Sequence, residues 1–208
     1  MKSALIVDDH PVVRAAIRVV LEAERFKVIH EASSAGEVMA LIREHAPKLV
    51  VLDLKLPGHG GLEVLARLKA NDPQCKVLIF TSQDPLHYQD RCLRAGAMGY
   101  VTKTNQLQQL HKAIQALMSG YSYFAALPDN ANVASPLLSS EKQLIDQLSD
   151  RELSILEQLA LGKPNKTIAE DMFLSYKTVS TYKTRLIKKL GVNTAVHLRD
   201  FAKRNHLI

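Results

Sequence analysis

The sequence predicts an α/β domain with a doubly wound five-stranded parallel sheet, followed by a smaller all-α domain. Three observations in the 208 residues support this division. Short β-rich runs alternate with helical patterns in the first part of the chain, the periodicity breaks at Gly120, and every pattern from Leu144 onward is helical. We therefore expect a first domain over residues 1–122, a linker over 123–143 and a second domain over 144–208.

Five short apolar runs correspond to the strands of the first domain, and each is followed by a helix. The runs are Ala4–Val7, Lys27–Ile29, Leu49–Leu52, Val77–Phe80 and Gly99–Val101. Helical spacing is clearest in four of the segments that follow these runs, namely Val12–Val20, Val38–Ile42, Leu62–Leu68 and Leu107–Met118. This alternation predicts a parallel sheet with helices on both faces. The length of the domain is typical of the flavodoxin-like order, in which ligands bind beyond the carboxyl ends of the strands.

Composition and charge limit the class of protein. Apolar residues make up 47% and charged residues 23% of the chain, as in an ordinary soluble globular protein. Every apolar stretch is shorter than the roughly 20 residues that cross a bilayer, and the run before Asp8 is too short for a signal peptide. We therefore expect a cytoplasmic protein with no membrane partner. Residues 172–208 contain eight Lys and Arg against one Asp, which favours contact with a polyanion.

Three carboxylates, a hydroxyl and an ammonium lie at predicted strand ends. Asp8 and Asp9 follow the first strand, and Asp53 follows the third. Thr81 closes the fourth strand, and Lys103 follows the fifth. Because ligands bind where the carboxyl ends of the strands meet, we expect these side chains in one crevice. Each has a simpler explanation when taken singly, since an acidic pair before a helix is often its N-cap and a lone lysine is usually solvated.

The predicted crevice suits a divalent cation. Clustered carboxylates raise one another's pKa unless a cation holds them ionised. Oxygen ligands with open coordination positions favour Mg²⁺, which keeps waters and recruits phosphate oxygens. A carboxylate beside the metal can attack a phosphoryl group, while Lys103 and the cation neutralise the transferred oxygens.

The strings around these residues resemble the receiver domain of bacterial two-component response regulators. They are Val7–Pro11, Asp53–Gly61, Phe80–Ser82 and Gly99–Lys103. The resemblance implies that Asp53 accepts a phosphoryl group from the phosphohistidine of a sensor kinase. It also implies a Mg²⁺ site formed by Asp8, Asp9 and Asp53, with Asp8 acting mostly through water. The backbone carbonyl of Lys55 would complete the protein ligands.

The same resemblance implies a set of switch residues. Thr81 would shift towards the phosphoryl oxygens, and Tyr100 would rotate inward behind it as the readout. Lys103 would contact the phosphoryl group. Thr104 follows this lysine, whereas many receivers have proline at that position.

The second domain shows a short helix, a tight turn and a longer basic helix. Leu148–Glu152 begins a helix with capping signals and an acidic first turn. After it come a short helix over residues 165–172, a turn at Phe173–Ser175 and a helix that ends at Leu190. This outline predicts a helix-turn-helix over about residues 165–184.

The phase of the basic helix separates a buried face from an outward face. At about 100° per residue, Val179, Leu186 and Leu190 share one stripe. The outward face carries side chains that suit a major groove, namely Lys177, Ser180, Thr181, Thr184, Arg185 and Lys188. The cations and some hydroxyls would reach phosphates, and the other hydroxyls would reach base edges. A solvated helix face is the simpler alternative.

Residues 148–208 resemble the LuxR-type helix-turn-helix of the NarL/FixJ response regulators and are most similar to the BvgA/EvgA branch. The strings that carry the resemblance are Leu148–Glu152, Asn165–Ala169, Lys177–Tyr182, Lys188–Val192 and Phe201–Asn205. The resemblance implies that the base-contacting positions of the family fall on Ser180, Thr181 and Thr184, and also on Arg185.

Together, the two resemblances imply a DNA-binding transcriptional response regulator of a two-component phosphorelay. Phosphorylation of Asp53 would shift the receiver between two pre-existing states, and the active state would favour a symmetric dimer on paired half-sites. The implied partners are a sensor histidine kinase or phosphotransfer protein, double-stranded DNA, a second copy of the chain and RNA polymerase.

Two other functions fit parts of the sequence. Mg²⁺-dependent phosphohydrolases of the haloacid-dehalogenase type also use an aspartate nucleophile, but they carry a second Asp where this chain has Lys55, and they have a cap domain. We therefore expect no enzyme activity beyond slow self-dephosphorylation. The other alternative is a receiver that acts as an adaptor and whose basic end binds nucleic acid without sequence preference.

Overall fold

The computed structural model describes residues 2–57, 60–71, 74–104, 107–125 and 136–208. The chain divides into two compact units, Met1–Leu127 and Pro128–Ile208. The predicted limits of the domains and the linker remain predictions, and residues 126–135 of the predicted linker lie outside the described residues. Within the described ranges, no helix is long and apolar enough to span a bilayer.

Five strands form the sheet of the first unit. They are β1 (Ser3–Val7), β2 (Val28–Ala32), β3 (Leu49–Leu52), β4 (Lys76–Thr81) and β5 (Gly99–Thr102). All paired strands are parallel and their order is β2-β1-β3-β4-β5, which confirms the predicted flavodoxin-like sheet. Val7 at the end of β1 pairs with Leu52 at the end of β3, so the residues that follow these strands meet at one edge.

Helices cover both faces of this sheet. They are α1 (Pro11–Ala23), α2 (Ala35–His45), α3 (Gly61–Ala70), α4 (Pro85–Arg94) and α5 (Leu107–Met118). Proline at the first position favours the start of α1 and α4, because its fixed φ suits a helix and its missing N–H would have had no helical partner. The Asp84 carboxylate caps α4 by accepting a hydrogen bond from the Leu86 amide at 2.8 Å.

The core lies between the central strands and the helices. On one face, Ile17 and Leu21 of α1 and Leu110 and Ile114 of α5 pack with apolar residues of the sheet, and all four side chains are buried. The residues Ala4–Val7 of β1 are fully buried, because this central strand has neighbours on both sides and helices above and below it.

Strand β2 extends three residues beyond its predicted end. It is an edge strand, so polar residues such as His30 and Glu31 are accommodated although they interrupt the apolar pattern. Glu31 accepts hydrogen bonds from Arg14 at 2.9 Å and from Arg18 at 2.5 Å, which ties β2 to α1.

The chain after α5 returns to the sheet and pairs with β5. Tyr123 forms a parallel bridge with Gly99: its amide donates to the Met98 carbonyl at 2.9 Å, and its carbonyl accepts from the Tyr100 amide at 2.8 Å. Gly99 permits this approach, because a Cβ there would lie 2.8 Å from Leu78 Cδ1 and 3.1 Å from the Tyr123 carbonyl oxygen. The first residues of the predicted linker therefore belong to the edge of the sheet.

The described part of the second unit is helical. Its helices are α6 (Pro136–Asp146), α7 (Asp150–Ala160), α8 (Asn165–Asp171), α9 (Tyr176–Lys189) and α10 (Ala195–Arg204). Helix α6 begins at Pro136, inside the linker that was predicted over residues 123–143. The Glu141 carboxylate ties this helix to the end of α10, through Arg204 at 2.8 Å and Asn205 at 2.6 Å, so contacts remote in sequence support a segment whose own periodicity is weak.

Candidate functional site

The sheet brings two predicted carboxylates together at its carboxyl edge. The Asp8 amide donates to the Ala32 carbonyl at 3.1 Å, and the Asp53 amide donates to the Val7 carbonyl at 2.9 Å. These bonds continue the ladders past the ends of β1 and β3 and fix both backbones. The side chains of Asp8 and Asp53 are almost fully buried, whereas that of Asp9 remains about one-third exposed at 32%.

Lys103 joins the two buried carboxylates. Its ammonium nitrogen lies 2.5 Å from Oδ2 of Asp53 and 2.8 Å from Oδ2 of Asp8. The Lys103 amide donates to the Thr81 carbonyl at 2.7 Å, which fixes the backbone of Lys103 directly after β5.

Burial and the neighbouring charges have opposite effects on the pKa values of Asp53 and Lys103. Burial raises the pKa of the Asp53 carboxyl above its ordinary value, and the nearby Lys103 ammonium offsets only part of that increase. Burial lowers the pKa of Lys103, but the Asp53 and Asp8 carboxylates outweigh it, so the pKa of the ammonium is raised. The lysine therefore stays charged beside a carboxyl group whose ionised form is disfavoured by desolvation.

The acidic residues at this edge fit a divalent cation. Ligand atoms from Asp8, Asp9, His10 and Asp53 all lie within 4.8 Å of one another. The three carboxylates supply the oxygen donors that Mg²⁺ prefers. His10 lies in this group although it was not among the predicted ligands, and its position directly after the acidic pair is a signal that could have found it.

The loop after β3 is shaped closely around Asp53. Oδ1 of Asp53 accepts a hydrogen bond from the Lys55 amide at 3.1 Å, and the Gly61 amide donates to the Leu54 carbonyl at 2.9 Å. A Cβ at Gly61 would lie 2.2 Å from the Asp53 carbonyl oxygen, so this backbone approach is open only to glycine.

Thr81 and Tyr100 line the inner side of the same edge. Thr81 is fully buried, and its hydroxyl accepts from the Gln83 amide at 3.4 Å. Tyr100 is also buried, and its hydroxyl donates to the Gln83 carbonyl at 2.9 Å. Both side chains thus contact the same residue of the loop between β4 and α4, and the Tyr100 ring already points inward.

In the second unit, α8, a turn and α9 form the predicted helix-turn-helix. Phe173 adopts a left-handed conformation in the turn, with φ of 52°. The Ser175 hydroxyl then caps α9 by accepting from the Thr178 amide at 3.0 Å. At the other end of α9, Lys189 Nζ lies 2.8 Å from Oε2 of Glu152, which belongs to the capping box of α7.

The two faces of α9 match the predicted phase. Val179 and Leu186 are fully buried and Leu190 is nearly so. Of the predicted outward residues, Ser180 is half-buried, and the exposed ones are Lys177, Thr181, Thr184, Arg185 and Lys188. This face carries basic and hydroxyl groups along the length of the helix.

The hydroxyls on this face are already oriented. Thr181 Oγ1 donates to the Lys177 carbonyl at 2.9 Å, and Thr184 Oγ1 donates to the Ser180 carbonyl at 3.2 Å. Since a hydroxyl has one proton, the oxygens of these two exposed residues are left to act as acceptors. The Arg185 guanidinium lies 5.5 Å from the centroid of the Tyr182 ring, within the range of a cation–π contact.

Two family models match the chain. Residues 4–115 match the response regulator receiver domain, and residues 146–202 match the luxR family of bacterial regulatory proteins. Each match covers one of the two groups of residues described above: the acidic edge of the sheet and the basic face of α9.

Curated relatives and solved structures extend this similarity over the whole chain. The chain is 46% identical to a protein of Bordetella pertussis named as the positive transcription regulator of virulence factors BvgA, over 98% of this chain and 97% of the relative. It is 36% identical to the DNA-binding transcriptional activator EvgA of Escherichia coli, over 99% of both chains. A structure of the Salmonella typhimurium RcsB response regulator, described by its conformational dynamism for DNA interaction, is 25% identical over 99% of both chains, with a TM-score of 0.73.

Proposed function

The chain belongs to the family of transcriptional response regulators that join a receiver domain to a LuxR-type DNA-binding domain, and from this premise we propose that phosphorylation of Asp53 controls its action on DNA. The observation that carries the proposal is the burial of Asp53 beside Asp8 and Lys103 at the carboxyl edge of the sheet. The Asp53 carboxylate, which would accept the phosphoryl group, thus has the Lys103 ammonium as its counter-charge. Asp8 and Asp9 lie close enough to act as further metal ligands.

In the proposed reaction, a carboxylate oxygen of Asp53 attacks the phosphorus of a phosphohistidine on a sensor kinase or phosphotransfer protein. The P–N bond breaks as the O–P bond forms, and its electron pair stays on the ring nitrogen. The other ring nitrogen already carries a proton, so the histidine leaves as neutral imidazole. Lys103 neutralises an oxygen of the transferred group, and the Lys55 amide remains near the carboxylate. Asp8, Asp9 and Asp53 would hold Mg²⁺, which would supply positive charge to the phosphoryl oxygens.

The proposed switch passes through Thr81 and Tyr100. The Thr81 hydroxyl contacts the Asp53 carboxyl and accepts from the Gln83 amide, so its movement towards a phosphoryl group on Asp53 would alter the contact with Gln83. Because Tyr100 donates to the carbonyl of the same residue, a change in that loop alters the environment of the tyrosine. Phosphorylation then shifts the population of receiver states, and one of these states favours a symmetric dimer.

On DNA, the outward face of α9 is the proposed reader. Lys177, Arg185 and Lys188 would contact phosphates and position the helix, while Ser180, Thr181 and Thr184 would reach base edges in the major groove. A symmetric dimer would set two such helices on half-sites about one helical turn apart.

The remaining proposals concern the cellular location of the chain, its partners and its own catalytic activity. The chain acts in the cytoplasm, where a sensor histidine kinase or phosphotransfer protein, DNA, a second copy of the chain and RNA polymerase are its partners. Slow hydrolysis of the aspartyl phosphate ends the signal and is the one catalytic property that we propose. A phosphohydrolase with an external substrate is not favoured, because Lys55 stands where such enzymes carry a second aspartate.

The test of this proposal is intact mass spectrometry after incubation with acetyl phosphate and Mg²⁺, with Asp53→Asn as the control. We expect one added phosphoryl group on the parent chain and none on the variant. A parent chain that binds DNA specifically but gains no mass would contradict phosphorylation control.

A second experiment examines assembly. Sedimentation of the phosphorylated chain, with and without DNA that carries paired half-sites, should show a dimer. Monomers under both conditions would refute the dimer while leaving phosphorylation intact.

A further inference from the structure

We propose that His30 and His45 form a pH-sensitive contact between β2 and α2, which opens when both rings are protonated and thereby loosens the strand that fixes Asp8. We refer to these two residues as the histidine pair. The inference concerns the stability of the receiver in mild acid, and it does not depend on phosphorylation of Asp53.

The two rings of the histidine pair are stacked. Their centroids are 3.7 Å apart, and their planes differ by 3°. His30 lies in the middle of the edge strand β2, and His45 lies in the last turn of α2. Both side chains are partly exposed, so water and protons reach the rings. The stack is therefore a contact between two elements of the receiver that can change its charge.

The stacked arrangement depends on the protonation of the rings. Two neutral imidazoles stack as other aromatic rings do. Two imidazolium ions are disfavoured in this arrangement, because like charges at 3.7 Å repel one another. Histidine is the side chain whose ordinary pKa allows this change of charge in mild acid. The contact is therefore stable at neutral pH and is lost once both rings carry a proton.

The charged groups around the histidine pair belong to α2. In the described part of the chain, the one carboxylate in ion-pair contact with either ring is that of Glu44, whose Oε1 lies 3.6 Å from Nε2 of His45. The Glu44 side chain is 70% exposed, so water weakens its attraction for the rings. Arg43, in the same turn, donates through Nε to a carbonyl of its own helix at 3.2 Å. On β1, the residue paired with His30 is the uncharged Leu5.

These surroundings favour the neutral form of His30. Burial lowers the pKa of His30 below its ordinary value of 6.5, and His45 lowers it further, while Glu44 raises it. The ring takes up a proton more readily when the contact is open, so acid favours opening. The contact is fully stable above pH 6.5 and loses stability as the pH falls from 6.5 through the lowered folded value.

Strand β2 connects the histidine pair to the acidic edge of the sheet. The Ala32 carbonyl at the end of this strand accepts a hydrogen bond from the Asp8 amide at 3.1 Å. On the other face of β2, Glu31 accepts from Arg14 at 2.9 Å, and Arg14 donates to the Asp8 carbonyl at 2.8 Å. Loss of the contact with α2 therefore loosens a strand that holds the backbone of Asp8 in two ways.

The test is amide hydrogen exchange of the full chain, followed by NMR at about pH 7.5 and about pH 5.5. Each exchange rate is divided by the intrinsic rate at the same pH, so that only the opening of the structure is compared. In the parent chain we expect the protection of the Ala46 and Asp8 amides to fall severalfold in acid. The Ala46 amide, which donates to the Ile42 carbonyl at 2.9 Å, reports on the end of α2.

Two substitutions remove the charge of the histidine pair and retain a ring. Since phenylalanine cannot be protonated, His30→Phe and His45→Phe should both lose the effect of acid on exchange. His111→Phe, which removes a histidine of α5, is the matched control and should retain the effect. Protection of either amide that does not depend on pH in the parent chain, or that falls equally in the two Phe variants, would refute the inference.

NMR titration of the His30 ring separates charge from packing. Its pKa should rise in His45→Phe, which removes the like charge, and should fall in Glu44→Gln, which removes the opposing carboxylate. A loss of packing would instead move both values towards the ordinary 6.5, so two changes of the same sign would overturn the inference. Neither measurement involves a phosphoryl group, and failure here therefore leaves the proposed function unaffected.

Discussion

Lys103 Nζ lies 2.5 Å from Oδ2 of Asp53, and this ion pair joins the ends of β5 and β3, two strands separated in the sheet by β4. The lysine also contacts Asp8 at the end of β1, so one ammonium connects the carboxyl ends of three strands. A cation or phosphoryl group that enters this edge must share the carboxylates with Lys103. A group that binds there would therefore change the contacts by which Lys103 connects the ends of β1, β3 and β5.

Replacement of Lys103 by methionine should raise the pKa of Asp53 further. Burial already raises this pKa, and the substitution removes the opposing positive charge while it retains a long apolar side chain. The pKa is measured by carbon-detected NMR of the Asp53 carboxyl in the absence of divalent cations. Lys112→Met, on the exposed side of α5, is the control and should leave the titration unchanged. An unchanged pKa in Lys103→Met would contradict the electrostatic role of the pair.

Replacement of Gly61 by alanine should destabilise the receiver by more than about 2 kcal/mol, because the new Cβ would overlap the Asp53 backbone. The free energy of unfolding is measured by urea denaturation followed by circular dichroism. Gly36→Ala is the matched control, since the nearest atom to a Cβ there is 3.9 Å away and alanine favours a helix. Equal stability of the two variants would show that the loop relaxes around the added carbon.

Replacement of Glu152 by glutamine should lower the free energy of unfolding of the DNA-binding unit by about 1 kcal/mol at neutral pH. Burial raises the pKa of Glu152, but the Lys189 ammonium and the hydrogen bonds from Ser149 outweigh it, so the folded pKa lies below the ordinary 4.5. A group with a lowered folded pKa stabilises the native state above its unfolded pKa and loses that effect as the pH falls through the folded value.

The difference between parent and Glu152→Gln should therefore shrink as the pH falls below 4.5. Urea denaturation at a series of pH values measures it. A difference that stays constant in acid would mean that packing, and not charge, accounts for the role of Glu152.

Two substitutions on α9 should distinguish contacts with DNA phosphates, which position the helix, from contacts with base edges, which select the sequence. Lys188→Ala should weaken binding to all sequences and reduce the slope of log affinity against log salt by about 1. Thr181→Val keeps the shape but removes a hydroxyl oxygen whose proton is donated to Lys177 and which can therefore accept a hydrogen bond. We expect it to relax preference at one base pair that presents adenine N6 or cytosine N4. Binding to a library of operator variants at several salt concentrations distinguishes the two results, and a uniform loss for both variants would refute the assigned roles.

Much of this architecture could be predicted because its causes are local. The alternation of runs predicts a parallel sheet, and the carboxyl ends of parallel strands lie at one edge, which is where Asp8, Asp53 and Lys103 are found. The phase of α9 follows from helical geometry, which is why Val179 and Leu186 are buried as expected.

The features that escaped prediction depend on contacts between distant residues. Helix α6 is tied to the end of α10 by Glu141, whose partner Arg204 lies 63 residues later in the chain. The continuation of β2 through Glu31 depends on two arginines of α1. The direction of the His10 ring, whose Nδ1 lies 2.6 Å from Oδ1 of Asp9, is likewise not visible in a sequence pattern.

The bridge between Tyr123 and β5 bears on where the receiver can be cut. Without Tyr123, the Met98 carbonyl and the Tyr100 amide would lose their partners, and the outer edge of β5 would be open to pairing with another molecule. A receiver fragment that ends at Gly120 should therefore self-associate, whereas one that ends after Ala125 keeps its edge closed. By covering the edge of β5, Tyr123 should therefore protect the receiver sheet from aggregation.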